Sequence, residues 1–242
     1  MSEHNEKVVV YSHEAFMCTP RPCPYFSDRE EQLIVITDSA RQRTPLDALY
    51  NVGFRRFGQE VCLVNCDDCS ACKLIRVDTQ KFKPSKSQKR VLKKNKDLKM
   101  STQSASFVQA HFELFVDYTA RRHQRPCDPD TTQALYEYNI LFEKPLSHLA
   151  EFRDEQNELL AVCAFDLTDT AIMLHQSFFD IANHPNRSLG TLVILKMIEL
   201  AKAHNIEHVY LGHWVSSNSK MRYKTNFRPF QIHMGDAWTE VE

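Results

Sequence analysis

Apolar residues are spread unevenly along the chain, and their spacing changes character twice. Glu158–Leu167 is almost continuously apolar, Ala171–Phe179 is a second apolar run, and Thr168, Asp169 and Thr170 lie between them. Two runs of strand length joined by a short polar turn predict a β-hairpin with a buried first strand. After a polar loop at Asn186–Thr191, Leu192–Asn205 repeats its apolar residues at helical spacing, and His208–Leu211 predicts a further strand. Hairpin, helix and strand in this order describe an α/β unit with a mixed sheet.

Upstream the period is helical. Ser106–Gln124 carries Phe107, Val108, Phe112, Phe115, Val116 and Tyr118 at helix spacing, and Thr132–Phe142 predicts a second helix. Leu74–Phe82 alternates as a strand that ends before Pro84, and Ser87–Asn95 predicts a basic helix. Its N-cap is Ser85 or Ser87, with Val91 and Leu92 facing inward. Residues 1–75 read as short pieces. Thr19–Pro24 holds three prolines and cannot be helical. Asp47–Val52 is a short helix stopped by Gly53, and Arg55-Arg56-Phe57 is an exposed turn or strand. The pattern places a small N-terminal lobe at residues 1–75 and a larger α/β domain at 76–242.

Composition narrows the class. The 242 residues are 43% hydrophobic, 25% charged and 10% aromatic, a globular balance that argues against disorder. Five glycines leave little material for a glycine-rich nucleotide loop. The most apolar stretch, Leu192–Ala203, is broken by Lys196, Glu199 and Lys202, and falls short of the ~20 residues a membrane-spanning helix needs. The polar start of the sequence lacks the apolar core of a secretory signal, so a cytoplasmic protein with reduced thiols and no membrane partner is expected.

The net charge of -1 hides a local excess. Residues 81–99 hold nine Lys/Arg and one Asp, a charge of +8, while the rest of the chain holds 21 basic and 30 acidic residues, or -9. One concentrated cationic segment on an otherwise acidic chain is the signature of a polyanion site. Its Lys81, Lys83, Lys86, Lys89, Arg90, Lys93 and Lys94 have few acidic neighbours for i,i+4 pairs, and contact with nucleic-acid phosphates is the expectation.

Other groups suggest chemistry. Residues 1–75 contain six of the eight cysteines, and Cys66, Cys69 and Cys72 repeat at a two-residue gap, so with Cys23 they form a candidate thiolate set for zinc or an iron–sulfur cluster. The plain alternative is small buried thiols. Arg187, Ser188, Gly190 and Thr191 stand before a helix, where free N–H groups hold phosphate. His213, Trp214, Lys220, Arg222, Tyr223 and Lys224 mix cations with aromatics in a way that suits a stacked base or a phosphate. A surface helix with Met221 and Tyr223 facing the core explains the last five residues equally well. No Ser/His/Asp order, paired-carboxylate spacing or HExxH motif is present. His175, His213 and Asp166 are the available general bases.

Taken together the motifs resemble one family. Pro22-Cys23-Pro24-Tyr25, Gly53-Phe54-Arg55-Arg56, Cys66-x-x-Cys69-x-Ala71-Cys72 and Arg76-Val77 match its N-terminal half. Phe82-x-Pro84-Ser85-x-Ser87-Gln88-x-Arg90 and Arg121-Arg122-His123 match its middle. Ser188-Leu189-Gly190-Thr191, Tyr210-Leu211-Gly212-x-Trp214, Lys220-Met221-x-Tyr223-Lys224 and Phe227-Arg228-Pro229 match its C-terminal half. The chain resembles the bacterial aspartate/glutamate leucyltransferases, which are aminoacyl-tRNA–protein transferases of the N-degron pathway and relatives of the arginyl-tRNA–protein transferases. It departs from them at His213, where tyrosine is usual, and around Asp28–Thr44.

The resemblance implies a mixed α/β fold like that of the acetyl-CoA-dependent N-acyltransferases, with a small cysteine-bearing lobe before it. It implies transfer of leucine from leucyl-tRNA to proteins beginning with Asp or Glu, with no cofactor required. Arg76, Arg187, Lys220 or Arg222 would then meet the acceptor's acid, and Lys81–Lys94 would carry the tRNA acceptor stem. Arginine as the transferred residue, a non-catalytic metal-containing RNA-binding module, and a small-molecule acetyltransferase are the alternatives.

Overall fold

The computed structural model describes residues 7–10, 13–123, 129–141, 146–235 and 237–241. They fall into two units, Met1–Val77 with Leu211–Glu242, and Asp78–Tyr210.

The short pieces at the start of the first unit are mostly strands. β1 (Lys7–Val10), β2 (His13–Met17), β3 (Arg21–Pro22), β4 (Glu30–Glu31) and β5 (Leu33–Ile36) are followed by α1 (Asp38–Arg43) and α2 (Leu46–Asn51). β6 (Arg55–Phe57), β7 (Glu60–Val64) and β8 (Lys73–Asp78) come next. An antiparallel sheet runs in the order β1-β2-β5-β7-β6. β5 is its apolar centre: Leu33, Ile34, Val35 and Ile36 are all buried, and β-branched side chains suit such a strand.

Helix α2 ends as its sequence predicts. Gly53 takes φ 94, its N–H bonds to the Tyr50 carbonyl, and the Phe54 N–H bonds to that of Leu49. Both carbonyls that the helix end would leave open are thereby satisfied. The chain turns directly into β6. The expected exposure of Arg55–Phe57 holds only in part, because the alternation of a strand puts Arg56 inside at 1% exposure, where Nη1 donates to the Gly58 carbonyl at 2.7 Å.

The second unit begins with α3 (Lys86–Lys94) and β9 (Lys99–Ser104), then α4 (Gln109–His123) and α5 (Pro129–Ile140). β10 (Ser147–Arg153), β11 (Leu159–Leu167), β12 (Ala171–Phe179) and α6 (Leu189–Ala203) lead to β13 (His208–Trp214), of which His208–Tyr210 lies in this unit. The sheet runs β9-β10-β11-β12-β13, antiparallel until β12 pairs in parallel with β13. A parallel pair needs a crossover, and α6 supplies it. This is the mixed α/β order expected, with the hairpin across Thr168–Thr170 in place. Helix α6 buries Leu192, Val193, Leu195, Met197 and Ile198, each contributing about 1.5–3 kcal/mol of apolar burial.

The chain then returns to the first unit. Ser219–Asn226 form a 3₁₀ helix, and β14 (Phe230–Met234) pairs antiparallel with both β8 and β15 (Ala237–Val241). The surface-helix alternative for Lys220–Lys224 is corrected in detail: the helix is 3₁₀ and buries no residue, and Tyr223 is 44% exposed.

Candidate functional site

The basic segment folds around its own cap. The Ser85 hydroxyl accepts the Gln88 N–H while the Gln88 side chain accepts the Ser85 N–H, and Gln88 is buried. This reciprocal cap starts α3 where the sequence supplies Ser-x-x-Gln. Val91 and Leu92 are half-buried, and Lys81, Lys83, Lys86, Lys89, Arg90, Lys93 and Lys94 are all exposed. Among the described residues, Lys83, Lys86, Lys89, Arg90 and Lys93 make no ion pair.

The far end of α3 is locked to the loop before α6. The Asn95 side-chain amide donates to the Val91 and Arg187 carbonyls, and its oxygen accepts from Arg187 Nε at 2.7 Å. Arg187 Nη2 meets both oxygens of Asp97 at 2.5 and 2.7 Å, and Lys94 Nζ donates to the Asn186 carbonyl at 2.6 Å. The Arg187 guanidinium holds the Asp97 carboxyl below its usual range. Arg187 is therefore engaged by its own unit and brings the basic helix beside the Arg187–Thr191 loop. Asn95 and Asp97 escaped the sequence reading because nothing local marks a partner about ninety positions away.

Helix α6 begins at Leu189, three residues earlier than predicted, so Gly190 and Thr191 are helical and not loop. Ser188 caps it in the left-handed region (φ 54, ψ 44) without a side-chain bond to the helix. That conformation is costly for a non-glycine residue. A Cβ on Gly190 would stand 3.1 Å from the Phe179 ring, so glycine permits the close seating of α6 on β12.

Asp166 is fully buried in β11. It accepts from Ser147 Oγ at 2.8 Å and faces His175 Nε2 at 2.7 Å. His175 is the extra residue at a bulge in β12, since Ala164 pairs with Gln176 and Phe165 with Leu174. The His175 side chain is 6% exposed, so the two proposed bases clamp three strands together.

In the first unit the four predicted thiols are neighbours. Backbone N–H groups of Tyr25 and Gln32 donate to Cys23 and Cys66 sulfurs at 3.5 Å, and the Ala71 N–H serves Cys69. The thiols differ sharply. The Ala71 N–H and the Arg29 guanidinium, 3.3 Å away, pull Cys69 down, whereas burial pushes Cys72 up to about 12. The described residues do not draw three of these sulfurs into one ligand group; Glu158, Asp180 and His184 are the set they do draw together. Asp180 there accepts from the N–H groups of Ala182 and Asn183 and from the Asn183 side chain, as a turn-capping carboxylate does.

A cavity of about 300 Å³ lies beside the thiols, with Leu63, Leu74, Cys69, Cys72, His213 and His233 among its walls. Gly53 belongs to its floor, where a Cβ would stand 2.8 Å from His233 Nδ1. Arg76 is buried close by: Nε donates to Gln231 Oε1 at 2.7 Å, Nη1 to Asn51 Oδ1 at 3.1 Å, and the guanidinium lies 3.9 Å over the Trp238 ring. Lys220, Arg222 and Tyr223 are exposed, and Trp214 is half-buried.

His213 and Lys224 do come together. Lys224 Nζ donates to the His213 carbonyl at 2.5 Å, and Arg55 Nη1 lies 3.3 Å from His213 Nδ1. Since Arg55 can only donate, Nδ1 accepts and the imidazole is neutral. Burial and the two cations agree, holding His213 well below its usual value. Burial and Arg55 also push the Lys224 ammonium down to about 7. In the sequence Arg55 stands out only as part of an exposed turn or strand and of a motif. Its role was hidden because it lies 158 positions from His213.

Comparison with known proteins follows this geometry. The arginine-tRNA–protein transferase N terminus matches residues 21–90, and the C terminus of the same family matches residues 110–234. The chain belongs to the arginine-tRNA–protein transferase family. Within that family, the aspartate/glutamate leucyltransferase of Nitrosococcus oceani is 35% identical over 230 residues, 95% of this chain and 96% of the relative. The enzyme of that name from Saccharophagus degradans is 34% identical over 224 residues, 92% of this chain and 94% of the relative. Both family segments carry the features above: the first spans the thiols and the start of α3, and the second spans α6, His213 and Lys224. Solved structures share the fold alone: L-PGS of Bacillus licheniformis has a TM-score of 0.50 at 10% identity, covering 81% of this chain and 62% of that one. A conserved protein of Bacteroides thetaiotaomicron has a TM-score of 0.52 at 8% identity, covering 94% and 82%. No helix among the described residues is long and apolar enough to cross a membrane.

Proposed function

We propose that this protein moves leucine from leucyl-tRNA to the N-terminal Asp or Glu of other proteins. The observation that carries the reading is likeness along nearly the whole chain to relatives named for that activity. The geometry supports it through α3, whose unpaired cations suit an acceptor stem, and through the lock of Asn95 and Arg187, which holds α3 beside the N-terminus of α6. Phosphate contacts there position RNA without reading its bases.

The chemistry asks little of a nucleophilic side chain. The donor is an ester, and the acceptor amine has a pKa of ~8, so part of it is neutral at physiological pH. That nitrogen attacks the ester carbonyl, the new C–N bond forms, and the bond to the tRNA 3′ oxygen breaks. The 3′ oxygen leaves with a proton in place of the one the ammonium sheds. Positioning and stabilisation of the oxyanion therefore supply the rate.

Cys23, Cys66, Cys69 and Cys72 are the thiols that would take a thiophilic ion, since N–H donors face three of the sulfurs, and binding would have to draw the sulfurs closer together. Such an ion would fasten the thiol loop and take no part in transfer. Metal analysis of the purified protein, with melting curves in the presence and absence of chelator, checks this: bound zinc or iron and a chelator-lowered Tm are expected.

The deciding experiment offers leucyl-tRNA and arginyl-tRNA against peptides beginning with Asp, Glu, Lys or Ala. Leucine on the Asp and Glu peptides alone is expected. Arginine on the same peptides changes the donor and keeps the mechanism. RNA binding with no transfer replaces the reading with a binding module.

A further inference from the structure

Two positive side chains in the first unit face one small place. Arg55 Nη1 lies 3.5 Å, and Lys224 Nζ 3.7 Å, from where a Cβ on Gly212 would stand. With no side chain on Gly212, both cations face the bare backbone of β13 at one point. Gly212 is buried on β13 with φ 77, a conformation glycine adopts freely. Among the described residues neither cation meets a carboxylate. Arg55 touches the Arg56 carbonyl, the His213 ring and the Phe57 face, and Lys224 donates to the His213 carbonyl.

We infer that Arg55 and Lys224 seat the side-chain carboxylate of the acceptor's N-terminal residue beside the bare backbone of Gly212, with His213 as the wall shared with the neighbouring cavity. The inference rests on the transferase reading and names the residues that would read its acidic acceptor. Several observations favour it. The two charges lie no more than about 7 Å apart and repel, an expense that one arriving anion reverses. Lys224, depressed toward neutrality when alone, regains its proton beside that anion. His213 is neutral and adds no third charge, and it touches both cations while also lining the neighbouring cavity of about 300 Å³. Two cations converging on one point suit a single carboxylate at the end of a peptide, whereas phosphodiesters follow extended cationic surfaces such as α3.

The test compares peptides that begin with Asp and with its uncharged isostere Asn, using full-length protein. Binding of each peptide without tRNA is measured by calorimetry, and leucine transfer from leucyl-tRNA is measured as kcat/KM. Wild type should prefer Asp in both. Arg55→Met and Lys224→Met should each cut the Asp-to-Asn ratio by about 30-fold or more, chiefly by weakening Asp. Arg55→Lys, which keeps a charge, should keep much of the preference and guards against misfolding of the bolder variants. Equal losses for Asp and Asn would overturn the inference. So would unchanged ratios with weakened leucyl-tRNA binding, which would give the pair to a phosphate. Asp-selective binding that depends on Arg55 but leads to no transfer would sustain the seat and remove the transferase reading.

Discussion

On α3 Lys86, Lys89, Arg90 and Lys93 stand in water without an ion pair, while around Gly212 two cations are partly withdrawn from it. The first arrangement attracts a polyanion from a distance, and because each charge keeps its hydration, each is worth little alone and salt weakens it. The second arrangement bears a cost before any ligand arrives, visible in the depressed Lys224 and His213, and recovers it only from an anion that fits. On the proposed reading, one set of charges supplies encounter and the other supplies discrimination.

The sharpest way to break this contrast is to empty the inner pair. Replacing Arg55 and Lys224 together by Met should lower kcat/KM on an Asp peptide by about 10³-fold, to a similar extent at low and high salt, since a desolvated pair is poorly screened. A strongly salt-dependent loss would move the pair into the class of α3. Replacing Lys89, Arg90 and Lys93 by Ala should instead weaken tRNA binding by about 10–100-fold at low salt and reduce the salt slope by about 3, with the Asp preference untouched.

A smaller effect probes the lock. Asn95→Ala removes bonds to Val91 and Arg187 without removing a charge. A loss of about 2 kcal/mol in stability is expected, with tRNA affinity falling although every lysine remains. The smallest effect is a dependence on pH. The Lys224 ammonium titrates near 7 when folded and at 10.5 when unfolded, so between those values the unfolded chain holds the additional proton and rising pH favours the fold. Below about 7 both states are protonated and the full penalty stands. Lys224→Met should therefore melt a few degrees above wild type at about pH 6, with the gap narrowing by about pH 9. Arg55 stays charged throughout, and the already neutral His213 adds no titration above pH 7.

The regular parts of the fold were legible because their patterns are strong. The apolar period of α4 and the runs of β11 and β12 leave little choice of structure. β9, with the sequence Lys99-Met100-Ser101-Thr102-Gln103-Ser104, lies at the rim of its sheet and buries none of its six residues, so it offers no alternation to read. The start of α6 was set late because Gly190 looks like a loop residue, yet its missing side chain is what lets the helix meet Phe179. At the sites, charge density alone marked α3. The Arg187–Asp97 and Arg55–His213 contacts join residues far apart in the chain, and only the folded topology brings them together.

The first unit is assembled from opposite ends of the sequence. β14, with Phe230, Gln231 and Ile232, pairs with β8 at Val77, Arg76 and Ile75. Arg55 is translated long before His213 and Lys224. During synthesis the second unit, continuous in sequence, can close first, while the thiols and Arg55 wait for the C-terminal strands. A chain cut short by a premature stop would thus carry the basic helix but lack half of its inner cation pair, so it would compete for tRNA without recognising an acceptor.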